Sequence, residues 1–476
     1  MARAPISESA TSERNSGHAS RPRYIGRNGR SEAAPTSPRR ADGGQPEAPA
    51  GNRGAVLRVR EACGFRPVRR TRCDTGARCM PRRRRPARRT EAVMGASVVI
   101  LGGGVGGSVV ATELRKLLPA EHRIALVERA DHFVLGASLL RVIVGERRPD
   151  EIARPMASLS RRGVEVVAGE LERIDPERRR VEVAGRRLDA DHLVVALGAD
   201  LDPSGVPGLA AAGHSFYALD GAVALRDALA SFSSGRLVVL TAAPAYKCPA
   251  APYEAALLME WTLRRRGVRE KVEVDLYAAE PAPMGVAGPK VSGAVRDLLA
   301  AKGIAYHPDH QAVRADAGQR RLHFANGAAA AYDLLAFVAP HRAPRVVREA
   351  GLTAESGWIP VDRSTLRTRF DRVWAIGDVT GIPLKMGKPL PKAATFAQGE
   401  AQVVARAVAT EILGGEPAEA YSAIGECWVE TGDGVAARGR GDFFGDPVPV
   451  VALEPPTEDA RRAKEAWERE WLERWA

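Results

Sequence analysis

The chain has 476 residues, 45% of them hydrophobic, five cysteines and a formal net charge of +12. The positive excess lies entirely in residues 1–93, which hold 22 Arg, no Lys and 8 acidic residues, whereas the remainder carries 48 basic against 50 acidic side chains. A nearly neutral body long enough for more than one domain excludes nucleic-acid binding as its main role, and its two cysteines are too few for a secreted disulfide framework.

Residues 1–93 are rich in Arg, Pro, Ser and Gly, with runs such as "PRRRRPARRT" and no sustained apolar period, so they predict a disordered extension. Met94 heads "MGASVVILGGG", where the first strand begins, and the segment before it reads as an upstream extension rather than a binding arm. Cys63, Cys73 and Cys79 lack paired metal-ligand spacing, and the histidines supply none either, so no metal site is expected. After Met94 there is neither a signal peptide nor an apolar run of spanning length. The folded part is therefore expected in the cytoplasm, soluble or peripheral on the inner face of the cell membrane.

The stretch "SVVILGGGVGGSVVATELRKLL" predicts a buried strand, a turn with Gly102, Gly104 and Gly107 at GxGxxG spacing, and an amphipathic helix, and "RIALVERA" predicts a second strand ending at Glu128. Glycines there permit a tight turn and close approach of backbone to a pyrophosphate, the helix N-terminus offers free N–H groups, and the acid is placed to accept a ribose hydroxyl. Further along, "DADHLVVALGADLDP" predicts a strand closing on Gly198, and "LRTRFDRVWAIGDVTG" one closing on Gly377 and Asp378, followed by the helix "AATFAQGEAQVVARAVATEIL". These returning segments resemble those of the flavoprotein reductases with two dinucleotide-binding domains. That resemblance implies FAD in the first fold, with Asp378 near its ribityl and pyrophosphate region.

A second strand–turn–helix unit begins at "SGRLVVLTAAPAYKCPAAPYEAA", and "KVEVDLYAAEP" supplies its next strand. The phosphate glycines are missing from its turn. Proline lacks an N–H donor and resists tight curling, so this fold is expected to bind nicotinamide nucleotides poorly. The turn carries Lys247 and Cys248 instead, just ahead of a helix with Pro252 near its start; the helix terminus and the adjacent lysine predict a lowered thiol pKa.

The segment "YKCPAAPYEAA", together with Cys427 in "GECWVETGDGVAARGRGDFF", resembles the cysteine segments of the sulfide:quinone oxidoreductases and flavocytochrome c sulfide dehydrogenases. The resemblance covers Met94 to about Phe444. It implies a Cys248/Cys427 redox pair that oxidises sulfide or a small thiol, with Cys427 as electron donor to FAD and Cys248 as sulfur carrier, and a quinone or cytochrome as acceptor. Lys392, in "KPLPKAATF", stands where related enzymes hold a lysine near the flavin. Two other readings compete: an NADH-dependent quinone reductase, and a flavin-binding redox sensor that turns nothing over.

The expected architecture is α/β, with two Rossmann-like dinucleotide-binding domains and a small C-terminal region. Residues 94–203 and 330–415 form the FAD domain, 204–329 an inserted degenerate NAD(P)-type domain, and 416–476 an interface region. Within the last, "DARRAKEAWEREWLERWA" puts Trp467, Trp471, Leu472 and Trp475 on one helical face. That face could rest on a membrane through residues 459–476, dock on the body, or join a homodimer.

Overall fold

A computed structural model describes residues 95–475; the expectations for residues 1–93, including Cys63, Cys73 and Cys79, lie outside the described residues. In chain order the elements that build the site begin with strand β1 (Ser97–Leu101), helix α1 (Val105–Leu117) and strand β2 (Arg123–Glu128). Helix α2 (Leu139–Ile143) and strands β3 (Glu165–Ala168) and β4 (His192–Val195) follow. The next unit holds β5 (His214–Ser215), β6 (Gly235–Thr241), α3 (Ala251–Arg265), β7 (Val272–Ala278), β8 (Ala305–His307) and β9 (Leu334–Val338). The chain then forms β10 (Val373–Ala375), α4 (Ala394–Leu413), β11 (Ile424–Gly432), β12 (Val435–Asp442), β13 (Val450–Leu453) and α5 (Glu458–Glu473).

Two parallel sheets of five strands carry the molecule, in the orders β10-β4-β1-β2-β3 and β5-β9-β6-β7-β8. Their central strands are continuous apolar runs because parallel strands are covered on both faces: Val98 to Leu101 and Leu237 to Leu240 are fully buried. The first sheet is discontinuous in sequence, since β10 pairs with β4 only after the whole second sheet has intervened. The second sheet extends past the expected boundary at residue 329, because β9 pairs in parallel with β6. Strand β9 falls within residues 330–415, assigned from sequence to the first fold; an apolar "LLAFV" suits either sheet, and only the pairing decides.

The C-terminal region is a three-stranded antiparallel sheet, β11-β12-β13, closed by α5. Thr457 caps α5, its hydroxyl accepting from the Ala460 N–H at 3.1 Å, and Glu458 and Asp459 suit the positive end of the helix. Trp471, Leu472 and Trp475 are buried, and Phe133 stacks on Trp475 with ring centroids 4.5 Å apart. Trp471, Leu472 and Trp475 thus dock on the body, while Trp467 stays partly buried. No helix among the described residues is long and apolar enough to cross a membrane.

Candidate active site

The glycine turn after β1 does what its spacing predicts. A Cβ on Gly107 would meet the Gly102 carbonyl oxygen at 1.9 Å, so only glycine lets α1 pack this closely on the strand. A Cβ on Gly104 would meet nothing within 4 Å, because that residue faces open space in a cavity of about 680 Å³. Ser108 makes the first helical bond, to Gly104, which leaves the N–H groups of Val105, Gly106 and Gly107 without intrahelical carbonyls. Glu128 sits at the same end of the cavity and already accepts the Gly103 N–H at 2.6 Å and those of Arg129 and Ala130 at 2.9 Å. A carboxylate offers about four lone-pair sites, so capacity remains for a hydroxyl.

Gly102, Gly104, Glu128, Gly198, Gly377 and Asp378 all line this cavity, while Gly107 lies behind it as a packing residue. A volume of this size, a helix N-terminus and an acid at the strand end fit an FAD: the glycine turn would hold the pyrophosphate, Glu128 a ribose, and the segment at Asp378 the far end of the molecule. Burial pushes the Asp378 carboxyl up, against the opposing charges of Lys247 and Lys392.

Lys392 is only 7% exposed, and its ammonium donates to the carbonyls of Asp378 at 2.8 Å and Thr380 at 2.7 Å. It also lies 3.5 Å from the centre of the Trp358 ring. Burial lowers its pKa to about 8 despite Asp378 and Glu400 nearby. The Lys392 carbonyl accepts the Cys248 N–H at 2.6 Å, so the cysteine turn of the second fold is tied to the wall of the first.

Cys248 and Cys427, 179 positions apart, line the same cavity, and both are free thiols. Cys248 has φ +49°, its carbonyl accepts from the Tyr217 hydroxyl at 3.1 Å and from the Ala251 N–H at 3.0 Å, and α3 starts three residues later. The expectation of a lowered Cys248 pKa is corrected. Burial pushes that thiol well up, neighbouring Cys427 and Glu254 push the same way, and the helix N–H of Ala251 opposes them only weakly. Lys247 lines the same cavity and acts electrostatically on Asp378 and His341, but it is not among the main influences on the sulfur. Cys427 is raised to about 11, again mainly by burial.

Two residues beside the sulfurs escaped the sequence reading. Glu254 on α3 and Lys464 on α5 form a buried ion pair that lines the cavity next to both cysteines, and Lys464 also reaches Glu430 at 3.0 Å. Burial raises the Glu254 carboxyl to about 7, with Lys464 drawing it back down. Behind them Glu430 meets Arg141 at 2.8 Å, and Arg141 meets Glu468 at 3.0 Å. A glutamate just after "CPAAPY" was a possible signal; a lysine on the polar face of a terminal helix was none, because its partners are 210 and 34 residues away in the chain.

In the second fold the acid just past β7, Glu280, lies one residue beyond the register position that Glu128 holds at the end of β2. It is occupied by the protein's own hydroxyls: Tyr253 donates at 2.6 Å, Thr241 at 2.7 Å, and Tyr246 also donates to it. Among the described residues no cluster of three His, Cys, Asp or Glu is arranged to hold a metal ion.

Residues 96–401 match the family model for pyridine nucleotide-disulphide oxidoreductases. The chain is 27% identical to the sulfide-quinone reductase of Aquifex aeolicus over 75% of its own length and 84% of the relative's. It is 22% identical to the mitochondrial sulfide:quinone oxidoreductase of Mus musculus, over 76% and 81% of the two chains. Its fold matches the crystal structure of the sulfide:quinone oxidoreductase from Aquifex aeolicus with a TM-score of 0.73 at 25% identity, covering 80% of this chain and 91% of that one. The matched stretch takes in the glycine turn, both returning strands and the cysteine turn that frame the cavity, and on that ground the chain belongs to the pyridine nucleotide-disulphide oxidoreductase family, as an FAD-dependent oxidoreductase similar to the sulfide:quinone oxidoreductases.

Proposed function

We propose that the protein oxidises sulfide, or a related small thiol or persulfide, through Cys248 and Cys427 and delivers the electrons to a quinone. The observation that carries this reading is that the two cysteines, brought from separate folds, line one cavity with the glycine turn and Asp378. Gly102, Gly104 and Glu128 would hold the FAD at one end, and Gly198, Gly377 and Asp378 at the other. Bound FAD would supply the two-electron acceptor that re-forms the cysteine pair's sulfur–sulfur bond once the outer persulfide sulfur has left to a second hydrosulfide.

Hydrosulfide attacks the sulfur–sulfur bond of the oxidised pair; that bond breaks, a new one forms to the incoming sulfur as a persulfide, and the displaced cysteine leaves as a thiolate with the electron pair. Cys248, on the turn, is assigned as the sulfur carrier and Cys427 as the donor. Lys392 stands on the flavin side, its ammonium held in place by the Asp378 and Thr380 carbonyls. A cytochrome acceptor differs only in where the electrons leave. The competing NADH-driven reading requires a nucleotide on the second fold, and the hydroxyls gathered on Glu280 stand where its ribose would bind. The quinone reading also calls for a peripheral membrane position, for which the exposed side of α5, within residues 459–476, is the candidate surface.

Anaerobic titration of the purified holoenzyme with sulfide tests the proposal. Flavin absorbance is expected to bleach, and Cys248→Ser and Cys427→Ser are each expected to keep FAD while losing bleaching by several orders of magnitude. Bleaching at the wild-type rate in both variants would refute the dithiol assignment, and a wild-type flavin that ignores sulfide would favour the redox-sensor reading.

A further inference from the structure

An anion formed inside a cavity needs a counter-charge, and the turn that carries Cys248 and the strand that carries Cys427 supply little at the sulfur end of this one. Lys247 acts chiefly on Asp378 and His341 and is not among the main influences on either sulfur, and Lys392 is committed to two backbone carbonyls. Among the described residues, the cation that pairs beside the sulfurs is Lys464, 5% exposed, in a cavity wall that also holds Cys248, Cys427 and Glu254. It arrives from the last helix of the chain. Its ammonium acts on both thiols in the direction of the thiolate, whereas Glu254 acts in the opposite direction.

We propose, resting on the sulfide-oxidising reading, that Lys464 is a positioning residue of the sulfur chemistry: its ammonium is the counter-charge both for the Glu254 carboxylate and for an anionic sulfur at Cys248 or Cys427, which makes α5 part of the active site. When hydrosulfide opens the cysteine pair, one negative charge enters the cavity and one remains on the displaced sulfur, so the net charge is conserved while its position moves. A cation held between Glu254 and Glu430 serves the charge in both positions without moving itself. Lysine also retains its proton there, because two carboxylates flank it. Glu254 on α3 and Glu430 on β11 pair with it directly; around that pair stand Arg141 on α2, Arg461 and Glu468 on its own helix, and the two cysteines, with Glu426 and Tyr217 acting on the same sulfurs.

The test compares Lys464→Met and Lys464→Arg with the wild-type holoenzyme, reading FAD content, the pH profile of sulfide-driven flavin bleaching, and the pH profile of Cys427 alkylation by iodoacetamide. The methionine variant is expected to keep FAD, to bleach at least tenfold more slowly at pH 7, and to alkylate only at higher pH than the wild type; the arginine variant is expected to stay within about threefold, since a single pH unit or tenfold change corresponds to about 1.4 kcal/mol. If the methionine variant does not fold, Glu430→Gln/Lys464→Met removes the cation together with its distal carboxylate and carries the same comparison. Bleaching and alkylation profiles that match the wild type in a folded methionine or double variant overturn the proposal. Should wild-type flavin not respond to sulfide at all, the parent reading falls, and the alkylation profile alone decides whether Lys464 acts on the sulfurs.

Discussion

At Cys248 two effects of opposite sign meet, and their sizes decide the outcome. A helix terminus contributes about 0.3–1 kcal/mol to a nearby anion, whereas burial moves an ionisable group by up to several pKa units. Burial wins, and the resting cysteines are thiols. The same logic governs Glu400 on α4, whose carboxylate oxygen accepts the Gly377 N–H at 2.5 Å while burial holds the carboxyl at about 7. A folded-state pKa raised above the ordinary 4.5 means that the fold prefers the protonated acid. This contribution to stability is complete below about 4.5 and is lost as pH rises through about 7. Glu400→Gln is therefore expected to flatten the fall in stability between those values, checked by urea denaturation of the holoenzyme from pH 5 to pH 8; an unchanged slope would show that the acid is already ionised.

Among the elements, α5 behaves differently from its composition. Read alone, "DARRAKEAWEREWLERWA" is an amphipathic helix whose polar face mixes both signs, and a mixed polar face suggests solvent. Part of that face is enclosed: Lys464 and Glu468 are buried and join Arg141, Glu254 and Glu430 in one ion network. Paired charges out of water are a weak source of net stability, but removing one side of the pairing costs about 3–5 kcal/mol because the other side stays buried. A chain ending at residue 457 is expected to lose cooperative unfolding and most of its FAD, since Arg141, Glu254 and Glu430 lose partners and Phe133 loses Trp475. Retention of wild-type thermal stability by this truncation, measured by calorimetry, would refute the account. Periodicity revealed which side of α5 is apolar, yet the partners of the polar side come from three distant elements, and no local pattern encodes them.

For the whole molecule, the parallel sheets, the glycine turn and the returning strands were legible because each is a local pattern: an apolar run, a spacing of glycines, an acid at a strand end. Cys248 and Cys427 were legible as chemistry only through family resemblance, and their surroundings were not, because a thiol's ionisation depends on residues from several elements that surround it. The degenerate second fold was half legible. Its missing glycines predicted weak nucleotide binding, while the tyrosines on Glu280 give a second, independent reason. NADH at about 1 mM, near the upper end of usual KM values, is accordingly expected not to bleach the flavin at a useful rate, as followed by stopped-flow absorbance. Rapid bleaching would restore the NADH:quinone reductase reading.

The discontinuity of the first sheet bears on how the protein is made. Strand β4 ends at Val195, yet its edge partner β10 begins only at Val373. At a translation rate of about 5–20 residues per second, the ribosome takes roughly ten to thirty-five seconds to supply the missing strand. Throughout that interval "HLVV" presents an apolar, unpaired edge, the kind of surface that recruits other chains. The second sheet, contiguous from His214 to Val338, can close first. A nascent chain stalled between these points would carry a finished inner fold on an open outer one, and any chaperone dependence during synthesis is expected to concentrate in that window.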